Sequence, residues 1–185
     1  MSSLYEYACD LEVIDLVERL DGDDVFSERM AEAFWECPVD DAWRSVTRLG
    51  VFRAVGWDGE IKISRYVKPL DLRRSTFLHE VAHAFTYFSQ GVGGHGKEWI
   101  SAMHALGVPA DVMSDDPRFQ AVADAQCKVV AVCRNCGHEV RQARWSTVDW
   151  AEDRYHTPCK LRGRFVNSPG QQAHLDLRKS RSKKG

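Results

Sequence analysis

The sequence predicts an α+β fold, with helices packed on a small antiparallel sheet over residues 1–122. A small β-rich ribbon that contains cysteines follows over residues 123–168, and residues 169–185 are expected to form a basic, flexible tail. Three observations support this division: apolar stripes with helical spacing and one alternating segment in the first part, short β-rich pieces in the second, and polar and basic residues in the third. The hydrophobic fraction of 44% and the charged fraction of 28% are those of an ordinary globular protein.

The first fifty residues are predicted to support the domain with helices. Apolar side chains at helical spacing mark residues 11–20 and 27–37, and Ser27 suits the N-cap of the second helix. No pattern in this part indicates a chemical role, so we expect only a supporting one.

A β-hairpin and a long helix are predicted next. Residues 51–67 alternate apolar and polar side chains around Asp58 and Gly59, and this pair is a turn signal. The helix is expected to begin at an N-cap, Ser75, and to end before Gly91, because glycine readily adopts the left-handed conformation found after helix C-termini.

The N-terminus shows no targeting signal. It has no basic region followed by an apolar segment, and no apolar run approaches the roughly 18 residues that a membrane span needs. This pattern predicts a cytoplasmic protein that does not bind membranes. Because the cytosol keeps thiols reduced, the six cysteines are expected to be free thiols or metal ligands.

The net charge of −2 conceals a strong asymmetry along the chain. Residues 1–125 carry 12 basic and 22 acidic side chains, whereas residues 126–185 carry 13 basic and 5 acidic ones. A basic segment attached to an acidic body favours binding to polyanions, of which nucleic acid is the commonest. The alternative is that the two parts balance each other's charge.

The segment HEVAH, residues 79–83, places two histidines and a glutamate on one face of the long helix. With about 100° per residue, His79, Glu80 and His83 lie together, and an apolar face lies opposite them. Side chains four residues apart can bind one zinc ion at about 2.0–2.1 Å, and zinc lowers the pKa of bound water towards roughly 7. Glu80 is then placed to take a proton from that water and pass it to a leaving amine. The alternative is a buried helix that contains this pattern by chance.

A third histidine follows in the glycine-rich segment GVGGHG, residues 91–96. Glycines favour a tight reversal of the chain, which could return His95 to the preceding helix. Glu98 is the nearby alternative ligand, although it also suits the first turn of a helix over residues 97–106. His104 is expected to be an ordinary surface or packing residue. Three histidines with an open fourth position predict a catalytic zinc site.

The cysteine-rich part predicts a structural zinc site. Cys133 and Cys136 form a C-x-x-C-G motif, and His156 and Cys159 repeat the two-residue spacing after a suitable spacer. Cys127 and His138 remain alternatives to His156 as the fourth ligand.

Cations and aromatic residues alternate between these two pairs of ligands. Bases can stack on such rings while phosphates contact guanidinium groups, which predicts binding of single-stranded nucleic acid. The alternative is that the tryptophans form the core of a small ribbon. The candidate nucleic-acid contacts are Arg141, Arg144, Trp145, Trp150 and Arg154.

The segments TFLHEVAHAF and GGHGKEWISAMHALG, with the cysteine ribbon behind them, resemble the Spartan-related SprT-like zinc metalloproteases. The resemblance covers about residues 50–165. It implies a zincin-like domain in which His79, His83 and His95 bind zinc and Glu80 is the general base. It also implies cleavage of proteins bound or crosslinked to DNA, with DNA binding switching the protease on. The expected DNA partner is single-stranded or contains single/double-strand junctions, and the expected place is the nucleoid, or the nucleus if the host cell is eukaryotic. The family's ribbon has a cysteine where this chain has His156.

Three further expectations concern substrate, assembly and function. The strand IKISRYV, residues 61–67, is a candidate edge strand that pairs with extended substrate, or else an ordinary sheet strand. Tyr66 and Tyr87 are candidates to stabilise the oxyanion, and the protein is expected to be a monomer. The alternative functions are a repressor-cleaving peptidase whose ribbon binds protein, and a non-catalytic zinc-ribbon protein that binds nucleic acid.

Overall fold

A computed structural model describes residues 1–20, 26–110, 116–142, 144–151, 157–160 and 165–182. The chain divides into two compact units, Met1–Gln120 and Ala121–Gly185. Helices and small sheets occur in both units, as the predicted α+β fold requires. In the described ranges, no helix is long and apolar enough to cross a membrane.

Short helices open the first unit. Helix α1 spans Leu4–Asp10, and a capping box fixes its start, because Ser3 and Glu6 each bind the other's backbone N–H through their side chains. A short helix, α2, spans Ile14–Val17, and α3 spans Glu28–Trp35 after the predicted N-cap residue.

The sheet of the first unit contains β1 (Ser2–Ser3), β2 (Pro38–Trp43), β3 (Gly50–Val55) and β4 (Asp58–Ser64). In the described part of the chain the strand order is β1-β2-β4-β3. Strand β4 pairs antiparallel with β3 but parallel with β2, so the sheet is mixed rather than purely antiparallel as predicted. The strand β2 was not predicted, because its sequence PVDDAW opens with proline and continues with two aspartates.

The hairpin is formed by β3 and β4, but its turn lies at Gly56 and Trp57 rather than at Asp58 and Gly59. Gly56 has a φ of +62°, the conformation that the first residue of a two-residue turn requires. Gly59 instead lies in β4 opposite Ala54, where the ring of Phe52 leaves no space for a Cβ atom.

Helix α4 spans Leu70–Gln90 and begins five residues earlier than the predicted position of its N-cap at Ser75. The Ser75 hydroxyl donates to the backbone carbonyl of Asp71 inside the helix, so it does not cap it. The helix ends at Gly91, with a φ of +67°, as predicted. Its apolar face forms the centre of the core, with buried Phe77, Leu78, Val81, Ala82, Ala84 and Phe88.

The second unit contains an antiparallel sheet of β5 (Lys128–Cys133), β6 (Glu139–Gln142) and β7 (Phe165–Asn167), in the order β6-β5-β7 within the described residues. Helix α5 (Lys97–Ala105) belongs to the first unit, and α6 (Pro117–Gln126) leads into the second. The core of this sheet is formed by Ala131, Cys133 and Phe165.

The segment expected to be a flexible tail forms helix α7, Pro169–Ser182. Its first half is fixed by Gln171, which is fully buried and whose side-chain amide both accepts from the Ser146 N–H and donates to the Ser146 carbonyl at 2.9 Å. Leu175 is buried as well. One buried side-chain amide that hydrogen-bonds to a loop backbone leaves no periodic pattern in the sequence. The polar and basic composition therefore suggested a flexible tail.

Candidate metal centre and active site

Three histidines converge in the first unit. His79 and His83 lie one turn apart on α4, and the Nε2 atom of His95 lies 3.2 Å from Nε2 of each of them. Two nitrogens bound to one zinc at about 2.0–2.1 Å and a tetrahedral angle are separated by roughly 3.3 Å. The donor atoms therefore fit the ligand set that the sequence predicted for one zinc ion.

The loop after α4 brings His95 to this place. Gly91 and Gly94 have φ values of +67° and +88°, which glycine adopts without strain. The chain thus reverses between α4 and α5. Glu98, the alternative ligand, lies in the first turn of α5, forms an ion pair with Lys97 and is not in the histidine cluster of the described residues.

Trp99 supports all three histidines, a role that the sequence did not reveal. Its ring centroid lies 4.8 Å from that of His79, 5.4 Å from that of His83 and 4.5 Å from that of His95. The side chain is only 2% exposed, and its indole N–H donates to the backbone carbonyl of His79. A buried aromatic ring that contacts all three imidazoles fixes their orientation. The only sequence signal for it was an aromatic residue one turn after His95.

Burial controls the charge of two of the histidines. Desolvation, assisted by the charge of His95, lowers the pKa of His79 to about 4. Desolvation and the two neighbouring histidines lower the pKa of His83 to about 4 as well. Both imidazoles are therefore neutral at pH 7, which is the form that binds a metal ion.

Glu80 lies beside the histidines and faces strand β3. The residue is only 6% exposed, and Oε2 accepts a hydrogen bond of 2.7 Å from the backbone N–H of Phe52. Burial raises the pKa of Glu80 to about 7, against the opposing effects of that hydrogen bond and of the Arg48 charge. A carboxylate with a pKa near neutrality exchanges protons efficiently at pH 7.

A cavity of about 470 Å³ joins the histidines to the open edge of the sheet. It is lined by Thr47, Arg48, Leu49, Gly50, Val51, Phe52, Ala54, Thr76, His79, Glu80, His83, Tyr87, Gly93, Gly94 and His95. Among the described strands, β3 forms the edge beside the histidines, whereas β4 lies between β2 and β3. Of the two interpretations of residues 61–67, the edge strand is therefore wrong, because β2 covers the other side of β4. Residues 61–64 form part of an ordinary sheet strand.

The backbone of β3 presents alternate residues to the cavity. The Leu49 carbonyl accepts from Ser64 on the β4 side at 2.7 Å, whereas the Phe52 N–H points away from β4, to Glu80. By the two-residue period of a strand, the backbone groups of Gly50 and Ala54 point the same way as those of Phe52. The edge can therefore accept an extended peptide along the cavity.

Gly50 is the residue that leaves space for the glutamate. A Cβ atom there would lie 2.8 Å from both Cγ and Oε1 of Glu80 and 2.9 Å from Cγ2 of Thr76. If Glu80 is the general base that the sequence predicts, we expect Gly50→Ala to displace its carboxylate and to lower kcat about 100-fold, because small misplacements of a catalytic group have effects of this size. Zinc content, measured by atomic emission, should not change.

The matched control for this substitution is Gly93→Ala. Gly93 lines the same cavity, but a Cβ atom added there meets nothing within 4 Å. Equal kcat values for the two variants would show that Gly50 does not position Glu80.

Of the two tyrosines considered for the oxyanion, only Tyr87 lines this cavity in the described part of the chain. Its hydroxyl donates to the backbone carbonyl of Gly56. Tyr66 instead lies beside the guanidinium of Arg65. The sequence did not reveal Arg48, an exposed cation of the cavity wall whose charge acts on Glu80.

The second unit brings together Cys133, Cys136 and Cys159, whose sulfur atoms all lie within 4.8 Å of one another. Gly137 has a φ of +74° and allows the turn after the second cysteine. Soft thiolates in this arrangement suit a structural zinc ion. His156, the predicted fourth ligand, lies outside the described residues, and neither Cys127 nor His138 joins the cluster among those that the structure describes.

The predicted nucleic-acid contacts of the ribbon have different surroundings. Trp150 packs edge-on against Phe165, with ring centroids 5.7 Å apart, and contributes to the small core. Trp145 lies against Gly170, and the Lys128 ammonium lies 4.8 Å from its ring centroid. Both tryptophans are half-buried.

The predicted arginines also differ from one another. Arg141 forms an ion pair with Glu139, and Arg144 is exposed. Arg154 lies outside the described residues.

A model of the SprT-like family matches residues 26–122. No curated protein and no solved structure shows a significant match to the chain. The match begins before residue 50, so α3 and β2 lie inside the matched range. It ends before the ribbon, whereas the resemblance was expected to reach residue 165. With 97 of its 185 residues matched, the chain belongs to the SprT-like family, which is metallopeptidase-like.

Proposed function

We propose that the protein is a zinc-dependent endopeptidase of the HExxH type with a zincin-like domain, and that it cleaves proteins bound or crosslinked to DNA. The observation that carries the proposal is the cavity in which three histidine nitrogens and a buried glutamate face the open edge of a strand. A purely structural metal site has no need of a carboxylate with a raised pKa beside it, or of an accessible strand edge.

In this proposal His79, His83 and His95 hold the zinc. The metal, when bound, supplies Lewis-acid chemistry and lowers the pKa of water. Glu80 accepts a proton from the attacking water and delivers it to the leaving amine, and its pKa of about 7 suits both transfers.

Strand β3 holds the substrate backbone in an extended form beside the glutamate. Because main-chain hydrogen bonds read no side chains, this mode of binding tolerates many sequences. It suits a protease that acts on many different DNA-bound proteins.

The second unit is proposed to bind DNA. Residues 126–185 carry an excess of eight positive charges. The last two turns of α7 expose Arg178, Lys179 and Arg181, and Arg144 is exposed elsewhere in the unit. Since Trp150 contributes to the core, we assign the DNA contacts chiefly to these cations.

The proposal also includes a second zinc ion at the cysteine cluster, action as a monomer, and a location where chromosomal DNA is present. In this proposal His156 is the fourth ligand of that zinc ion, because its two-residue spacing to Cys159 is that of a zinc knuckle.

The test uses the zinc-loaded full-length chain and a basic protein crosslinked to a single-stranded oligonucleotide. We expect cleavage that is faster with the DNA attached than with the same protein alone. Replacing Arg178, Lys179 and Arg181 with alanine should remove this stimulation and lower the salt slope of DNA binding by about two, at about 0.7 per phosphate contact.

The control removes the same number of charges from the first unit, by alanine substitution of exposed Arg44, Arg65 and Lys68. Cleavage that is equally fast without DNA would instead support a peptidase whose ribbon binds protein. DNA binding without turnover of any protein would support the non-catalytic alternative.

A further inference from the structure

A second cavity, of about 540 Å³, lies beside the hairpin turn. Its walls include Met30 and Ala33 of α3, Gly56 and Trp57 of the turn, and Tyr87 and Phe88 of α4. Ser27, Arg29 and Gly91 complete the wall, which is otherwise apolar and aromatic, and the volume is in the range of pockets that accept organic ligands. The chemistry described so far does not use this cavity.

The second cavity adjoins the first, because Tyr87 lines both. The ring of Tyr87 lies 5.6 Å from that of Phe52 and 5.5 Å from that of Phe88, so one aromatic wall runs from the edge strand into the second cavity. The bond from the Tyr87 hydroxyl to the Gly56 carbonyl fastens the turn to α4 and holds this wall in place.

Trp57 lines this cavity, although the residue is 75% exposed to solvent. A tryptophan in water at the rim of an apolar cavity is typical of a binding site, because a ligand that covers it removes a large apolar area from solvent. The cavity thus offers a ready contact for an apolar group.

The distance of the second cavity from the histidines allows a side chain of a bound peptide to reach it. Along the helix axis, Tyr87 lies one turn, about 6 Å, beyond His83, and Gly91 lies about 12 Å beyond His83. Because an extended chain advances about 3.3 Å per residue, these distances correspond to two to four residues of a substrate that follows β3.

We propose that this cavity is a subsite for one large apolar side chain of the substrate, two to four residues from the bond that is cleaved. The inference rests on the proposed function, in which the substrate lies extended along β3. Large apolar side chains are mostly buried in folded proteins. The subsite therefore selects segments that are unfolded, which names the substrate class more closely than DNA attachment does.

Peptide binding to the zinc-loaded Glu80→Gln chain tests the subsite without turnover. Fluorescein-labelled peptides of one sequence, each with a single phenylalanine at a different position in place of alanine, are titrated by fluorescence anisotropy. We expect one position to bind about tenfold to hundredfold more tightly, the gain for burying such a side chain.

Two substitutions, made in the same Glu80→Gln background, link that preference to the cavity. Ala33→Phe fills the cavity, and Trp57→Ala removes an exposed wall residue with little risk to folding, so each should abolish most of the preference. The control is Glu32→Phe, which adds the same ring to an exposed position of α3 outside the cavity walls and should leave the preference intact. A preference at no position, or one that both Ala33→Phe and Trp57→Ala retain, would overturn the proposal.

Cleavage sites in an unfolded protein digested by the zinc-loaded wild-type chain separate this inference from the proposed function. Cleavage with no apolar enrichment two to four residues from the sites refutes the subsite and leaves the peptidase. Absence of cleavage, together with peptide binding that Ala33→Phe weakens, refutes the peptidase and leaves the subsite.

Discussion

Replacing Glu80 with glutamine is expected to lower the rate of peptide cleavage about 10²-fold to 10⁴-fold, the contribution of a general base, and to leave zinc bound. The glutamine oxygen can still accept the Phe52 N–H bond that Glu80 accepts at 2.7 Å, so the fold should be retained. An amide cannot take a proton from water at neutral pH, so proton transfer is lost. Zinc content by atomic emission and kcat on an unfolded protein substrate measure the two effects.

Two other variants serve as controls for Glu80→Gln. His95→Ala removes a member of the histidine cluster and should lose both zinc and activity. Glu98→Gln makes the same chemical change three residues after His95, outside that cluster, and should lose neither. Cleavage at the wild-type rate by the Glu80→Gln chain would refute the assigned role of Glu80.

Removal of metal from the cysteine cluster is expected to unfold the second unit and to leave the first unit folded. The second unit has a small core in its described part: the cluster of Ala131, Cys133 and Phe165, with buried Val130 and Leu175, covers too little apolar surface to fold such a unit alone. Structural zinc supplies about 10–16 kcal/mol of apparent binding free energy in small domains. Cys136→Ser should therefore expose the amides of β5 and β6 to hydrogen exchange, while those of α4 stay protected.

Cys127→Ser is the control, because Cys127 is not in the cysteine cluster of the described residues. It should leave hydrogen exchange and zinc content unchanged, whereas Cys136→Ser should lower the zinc content from two ions to one. His156→Ala tests the fourth ligand in the same assay. Equal protection of β5 in the Cys136→Ser and wild-type chains would show that metal does not stabilise this unit.

The cluster of three histidines was predictable because it depends on contacts between residues close together in the sequence. The four-residue spacing of His79 and His83 places them on one helix face, and glycines around His95 indicate the reversal that returns it to them. The helix end at Gly91 follows from the same local chemistry and was also predicted. Each of these signals lies within about twenty residues of the others.

The features that the sequence did not predict depend on contacts between distant segments. Strand β2 forms despite its proline and aspartates because its backbone pairs with β4. This pairing leaves β3 at an edge of the sheet in the described part of the chain. Helix α7 is held by Gln171 through a loop 25 residues away. Trp99 packs beneath three imidazoles only after the chain has reversed. No local pattern encodes such partners.

The bond from the Phe52 amide to Glu80 has a consequence for the register of a bound peptide. A chain that pairs with β3 meets outward-facing amides at alternate residues, but the amide of Phe52 is already engaged. The peptide carbonyl opposite Phe52 is therefore left without a donor from the strand, at the one point of the ladder that adjoins the glutamate. If the protein acts as the proposed peptidase, an interruption in the pairing, rather than a side chain, selects which peptide bond is presented for hydrolysis.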